Sequence, residues 1–450
     1  MVFRIVCALM ILFAGCSRST TEVKNDKAEK QIAPSRMALI KETEQFNNDL
    51  SSLNELAKQK ESAFDFAAAA TVWGQVHQLV SKRFGEGSWQ SLNAKIAHDL
   101  AFTKSEFSSS QLETVKQVQG FFQDFKQALN NQQLQDALSI GDDITNLSKQ
   151  LYGIKSVQVA QALFQSARIE SRLKKFQEAA KKFHQAIEIF RAHGFGNHPE
   201  MELAHSGLAN AYVQQSKLTP ASANQKEATR IAGQIWGRDS LDFAVQANQL
   251  GVIYHRAGNL DVAFEILDHA RAIREELLGT EHAIYAHSCL NLGAVMLDLN
   301  RPDNAEGYLK KALEIFDRDF GTDESITHRA KSHLATIYML RKHPDQAEPL
   351  LQSLAQTLPP GSDEQLSHQY RLSIAYAKQG KYDLAKPLLE TTIQQQKEQF
   401  GSADERTINS LRAYALVLER THQSDAADTV KQHINRVAGQ VDSQDFQTRY

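Results

Sequence analysis

Six alanines stand 42 residues apart in this chain: Ala137, Ala179, Ala221, Ala263, Ala305 and Ala347. The series resumes at Ala385 after a step of 38, and at Ala427 after another 42. A second marker runs with it, an apolar residue followed by glycine: Tyr152-Gly153, Phe195-Gly196, Trp236-Gly237, Leu278-Gly279, Phe320-Gly321 and Phe400-Gly401, with Gly361 filling the gap. Two independent markers sharing one period define a repeat array. The scarcity of Gly (22) and Pro (9) in 450 residues favours helices over strands within each unit.

The unit from Thr280 to Gly321 shows how a repeat is built. Ile284, Leu290, Leu292 and Met296 suit one helix, with Gly293 small enough for close helix packing. Asn300-Arg301-Pro302 breaks the chain, and proline is tolerated in the first turn of the next helix. Ala305, Leu309, Ala312, Ile315 and Phe316 then recur at three- and four-residue steps, as an amphipathic helix requires. Phe320-Gly321 closes the unit, the glycine expected in a left-handed cap. Ser362 with Gln365, and Ser402 with Glu405, have the spacing of capping boxes at the following helix starts. Between Gly85 and Gly153 the interval is 68, so one unit is enlarged there or an extra helix is inserted.

These residues resemble the tetratricopeptide repeat: a small residue at position 8, an aromatic at 11, Gly-x-aromatic at 15–17, alanine at 20 and 27. The 42-residue unit is similar to the repeats of kinesin light chains and their bacterial relatives. The resemblance covers roughly Phe121 to Ala438, with a divergent unit around Leu50 to Gly85. It implies an all-α fold, a right-handed α-solenoid of eight to nine helix-turn-helix repeats. It also implies that positions 2, 5, 6, 9, 12 and 13 face a concave groove. Carried onto this chain, these give Asn210, Gln214, Asn248, Gln249, Arg256, His287, Asn291, Arg329, His333, Tyr370, Arg371 and Arg412 as candidate partner-binding residues. Asn and Gln pair with peptide backbone, and Arg grips carboxylates bidentately. The Lys/Asn carboxylate clamp of chaperone-binding relatives is not reproduced.

The N-terminus carries a second signal. Arg4 precedes an apolar run from Ile5 to Ala14, the length of a signal-peptide core and too short for a stable membrane span. Leu12-Phe13-Ala14-Gly15-Cys16 resembles the bacterial lipobox, with Phe13 where the pattern prefers Leu. By that resemblance Cys16 is the lipidated first residue of the mature chain, and Ser17 after it implies the outer membrane of a Gram-negative cell. The bland alternatives are an ordinary signal peptide with an incidental cysteine, or an uncleaved helix. The expected division is 1–15 signal peptide, 16–40 lipidated cysteine and polar tether, 41–120 divergent helical repeats, 121–438 tetratricopeptide array and 439–450 tail. Cys289 is left as the one thiol of the mature chain, expected to be a buried apolar filler.

The net charge of −3 gives no basic character, so no nucleic-acid partner is expected. The sixteen histidines form no His-Glu-x-x-His or Cys/His cluster, and His282/His287 and His328/His333 are five apart, off one helical face. No phosphate loop, Gly-x-Ser-x-Gly or dinucleotide fingerprint is present. No metal, cofactor, small-molecule substrate or catalytic residue is therefore expected. The leading expectation is a non-catalytic scaffold, tethered in the bacterial envelope, that binds a protein or peptide. The alternatives are a structural subunit of an envelope assembly or secretion complex, and an all-helical enzyme.

Overall fold

The computed structural model describes residues 34–321 and 324–448, with side chains over 41–321 and 324–437. Cys16, the signal sequence and residues 17–33 of the expected tether lie outside the described residues. So do the side chains of the 439–450 tail. Among the described residues there are nineteen α-helices, one 3₁₀ turn and no strand. The chain divides into two compact units between Gly237 and Arg238.

Unit 1 holds α1 (Pro34–Ser62), α2 (Phe66–Phe84), α3 (Trp89–Ser105), α4 (Ser109–Asn130), α5 (Leu134–Tyr152), α6 (Val157–Arg172), α7 (Phe176–Ala192), α8 (Pro199–Gln214) and α9 (Leu218–Ile235). Helix α1 thus begins inside the stretch assigned to the tether. Unit 2 holds α10 (Leu241–Arg256), α11 (Leu260–Leu278), α12 (Ala283–Asp298), α13 (Pro302–Asp319), α14 (Ser325–Leu340), α15 (Pro344–Thr357), α16 (Asp363–Lys378), α17 (Tyr382–Phe400), α18 (Glu405–Arg420) and α19 (Ser424–Thr448). The last helix runs on through the residues expected to form a tail.

Consecutive helices pack as hairpins, each of a first helix A and a second helix B. In unit 2 the A helices are α10, α12, α14, α16 and α18, and neighbouring A helices also touch one another. In unit 1, three helices (α3, α4 and α5) lie between Gly85 and Gly153, which accounts for the long interval. Helix α3 is the additional element. Its Leu92 and Ile96 pack on a core built from α6, α7, α8 and α9.

All eight ladder alanines have no exposed surface. They lie near the start of each B helix, where it crosses its A helix, and a larger side chain would drive the helices apart. The A-helix partners are small for the same reason. A Cβ on Gly293 would lie 2.6 Å from Leu309 Cγ, and one on Gly251 would lie 2.5 Å from Leu267 Cγ.

The glycines that close the B helices depart from the expected left-handed cap. Gly85, Gly153, Gly279 and Gly401 combine φ of +79° to +91° with ψ of 152° to 169°. That region is open essentially to glycine alone, a stricter demand than a left-handed turn makes. Gly196 does not play this part: α7 ends earlier, on Gly194 at φ +80°, and Phe195-Gly196-Asn197 forms the 3₁₀ turn. Neither expected capping box closes: Gln365 Oε1 accepts from Gly361 N at 2.7 Å and not from Ser362 N. Ser362 caps α16 by accepting from Gln365 N, but α18 is capped by Asp404, which accepts from Arg406 N, and Ser402 lies outside the cap.

Candidate partner-binding face

The candidate groove residues fall on A helices of both units. Asn210 and Gln214 are exposed on α8 of unit 1. Asn248, Gln249, Arg256, His287, Asn291, Arg329, His333, Tyr370, Arg371 and Arg412 lie on the five A helices of unit 2. Register explains why the unit 2 set comes together. The spacing of A helices matches the repeat, so side chains one period apart stand next to each other on adjacent helices.

Direct bonds show this alignment. Asn291 Nδ2 donates to Asn248 Oδ1 at 3.2 Å, joining α12 to α10. Arg371 on α16 reaches α14, donating to Ser332 Oγ at 3.0 Å, Ser332 O at 3.2 Å and Thr336 Oγ1 at 2.6 Å. All three acceptors are neutral, and burial pulls Arg371 below the usual arginine range. Its guanidinium is spent on joining two helices. His255 Nε2 lies 2.6 Å from Asp298 Oδ2, a further link between α10 and α12.

Around these links the face is rich in positive charge. Arg256 and Arg329 are exposed and make no hydrogen bond or ion pair among the described residues. Though the residue is exposed, the neighbouring helices partly desolvate the Arg329 guanidinium, and this, reinforced by Arg256, pulls it below its ordinary range. His333 is lowered to about 4, first by burial and then by Arg329, while Asp298 opposes the shift. Burial together with Arg274 and Arg329 also lowers His287. These imidazoles are therefore neutral at physiological pH, and the fixed charge of the face is carried by arginine. Tyr370 is half-buried, its phenol raised by burial and drawn back by Arg412.

Two features escaped the motif. His255 occupies position 12 beside the selected Arg256, and its link to Asp298 shows only once adjacent helices are aligned. Arg274 on α11 is 4% exposed, where its repeat counterpart one period on is Phe316. It donates to Ser288 Oγ at 2.5 Å and Ala244 O at 3.4 Å. An arginine at a phenylalanine position was visible in the sequence as a broken pattern.

Among the described residues no group of three or more His, Cys, Asp or Glu could hold a metal. None of the helices is long and apolar enough to cross a membrane, again among the described residues. Cys289 is fully buried and its thiol is pushed up to about 11 by burial, which suits a packing role.

No curated protein sequence matches the chain significantly. Solved structures give likenesses. A kinesin light chain with nearly identical TPR-like repeats from Podosopora anserina is 22% identical over 45% of this chain and 98% of that one, with a TM-score of 0.40. BtubC (BKLC) from P. vanneervenii is 20% identical over 50% of this chain and 92% of that one, TM-score 0.44. Pseudomonas aeruginosa pilF is 17% identical over 55% of this chain and 94% of that one, TM-score 0.40. The tetratricopeptide repeat model matches residues 243–318 and 364–436, both in unit 2, and these segments are tetratricopeptide repeats.

Proposed function

We propose that the chain is a non-catalytic scaffold whose A-helix face in unit 2 holds an extended segment of a partner protein. Tetratricopeptide repeats generally serve as protein-interaction scaffolds, and the match to that model lies in this unit. The observation that carries the reading is the pair Arg256 and Arg329. Both are exposed, neither has an acid partner among the described residues, and they act on each other electrostatically. Like charges held together without counter-charges leave the face complementary to carboxylates. Asn291, on the A helix between theirs, keeps one amide hydrogen beyond its bond to Asn248 for a peptide backbone.

The lipobox resemblance at Cys16 completes the proposal: the scaffold is acylated there and held at the bacterial cell envelope, on the periplasmic side of the outer membrane. The test is capture from native envelope extract with the wild-type chain and with an Arg256→Glu/Arg329→Glu variant. A partner retained by wild type and lost by the variant is expected. A partner set identical for both proteins would contradict use of this face.

A further inference from the structure

The B-helix face of unit 2 contains a cleft of about 440 Å³ between α13 and α15, floored by α14. Its apolar surface comes from Leu313, Leu334, Tyr338, Pro349 and Leu350, and Lys310, Glu314, Asp317 and Gln346 complete the lining. The preceding repeat shows what fills this position elsewhere. Forty-two residues before Leu313 is Arg271, and 42 before Leu350 is Tyr308. Arg271 lies over the Tyr308 ring at 5.7 Å, donates to Asp268 at 2.8 Å and is paired with Glu275. Between α11 and α13 the chain therefore supplies its own arginine to the gap.

Between α13 and α15 that arginine is replaced by leucine, yet one of its acids is retained. Asp317 occupies the place of Glu275, and its Oδ1 is shielded from solvent with no hydrogen-bond partner among the described residues. Lys310 replaces Asp268, but its ammonium is turned away to Glu306, at 2.6 Å. Glu314 is shared with Lys311 at 3.3 Å. An apolar slot lined by Asp317, which no cation of the described residues pairs, fits a side chain with an aliphatic stem and a cationic fork. We infer that this cleft receives an arginine side chain of a partner protein, in the position that Arg271 fills from within one repeat earlier. Its walls are the B helices α13 and α15, and α14 contributes only Leu334 and Tyr338, so it is a different surface from the A-helix face that carries Arg256 and Arg329.

Ligand-observed saturation-transfer NMR on the full chain tests this with acetyl-Gly-Arg-Gly-amide and its citrulline counterpart, which keeps the shape and removes the charge. Transfer to the arginine methylenes is expected, with at least a several-fold weaker signal from citrulline. Leu313→Arg restores the internal plug and should abolish the arginine signal. Asp317→Asn, nearly isosteric, should weaken it several-fold. Glu276→Gln, at an exposed position of α11 outside the cleft, should leave it unchanged. Equal signals from arginine and citrulline, an unaltered signal in Leu313→Arg, or no signal in the wild-type chain would overturn the inference.

Discussion

Asn291 and Asn248 are 43 residues apart in sequence, and their side chains meet at 3.2 Å on adjacent A helices of unit 2. The bond shows that the repeat period governs side-chain placement across the face. It also ties up one oxygen and one amide hydrogen, leaving the second hydrogen of Asn291 for a partner's backbone.

The packing account predicts opposite signs for two glycine substitutions in the same repeat. Gly293→Ala places a Cβ 2.6 Å from Leu309 Cγ, and Leu309 is fully buried with no room to yield. A loss of about 1–3 kcal/mol is expected from overpacking. Gly307, in the interior of α13, has nothing within 4 Å of its added Cβ. Gly307→Ala should therefore gain about 0.5–1 kcal/mol from helix propensity. Denaturant unfolding followed by far-ultraviolet circular dichroism measures both.

His198 predicts an acid-dependent stability in unit 1. It caps α8 by accepting from Glu200 N at 3.0 Å through Nδ1, so its proton sits on Nε2 and is donated to Asn93 Oδ1, also at 3.0 Å. Burial lowers this imidazole to about 3. The unfolded chain then binds the proton first, near pH 6.5, so stability is full above that pH and falls as pH drops toward 3. The slope from this one group is about 1.4 kcal/mol per pH unit. All three tryptophans, Trp73, Trp89 and Trp236, lie in unit 1, so their fluorescence reports its unfolding alone. His198→Asn retains a capping side chain and should flatten the pH slope by one proton. An unchanged slope would show that His198 is not the titrating group.

The proposed anchor is tested by Cys16→Ser. The variant should lose incorporation of labelled fatty acid and move from the membrane fraction to the soluble fraction. Membrane retention and labelling equal to wild type would rule out acylation at Cys16.

Much of the fold was legible because repetition averages out local ambiguity. The eight alanines all mark B-helix contacts with A helices, since a close crossing tolerates no larger residue. The closing glycines were legible as caps, but their stricter conformation was not, because ψ leaves no trace in residue type. The 68-residue interval announced an enlarged unit or an extra helix, but where the extra helix α3 packs was not legible. Trp89 packs edge-on against Trp236 at 5.9 Å and His198 at 6.1 Å, contacts across more than one hundred residues that no local period encodes. On the A-helix face the register brought residues about one period apart side by side. It could not separate Arg371, spent on Ser332 and Thr336, from Arg256 and Arg329, because that depends on which hydroxyls the neighbouring helix presents.

Site-directed photocrosslinking in cells tests the central claim most directly. A benzophenone amino acid is placed at position 287 or 329 on the A-helix face, or at position 276, exposed on the B helix α11. The account predicts one discrete crosslinked partner from 287 and 329 and none from 276. Crosslinks arising only from 276, or the same products from all three positions, would contradict it.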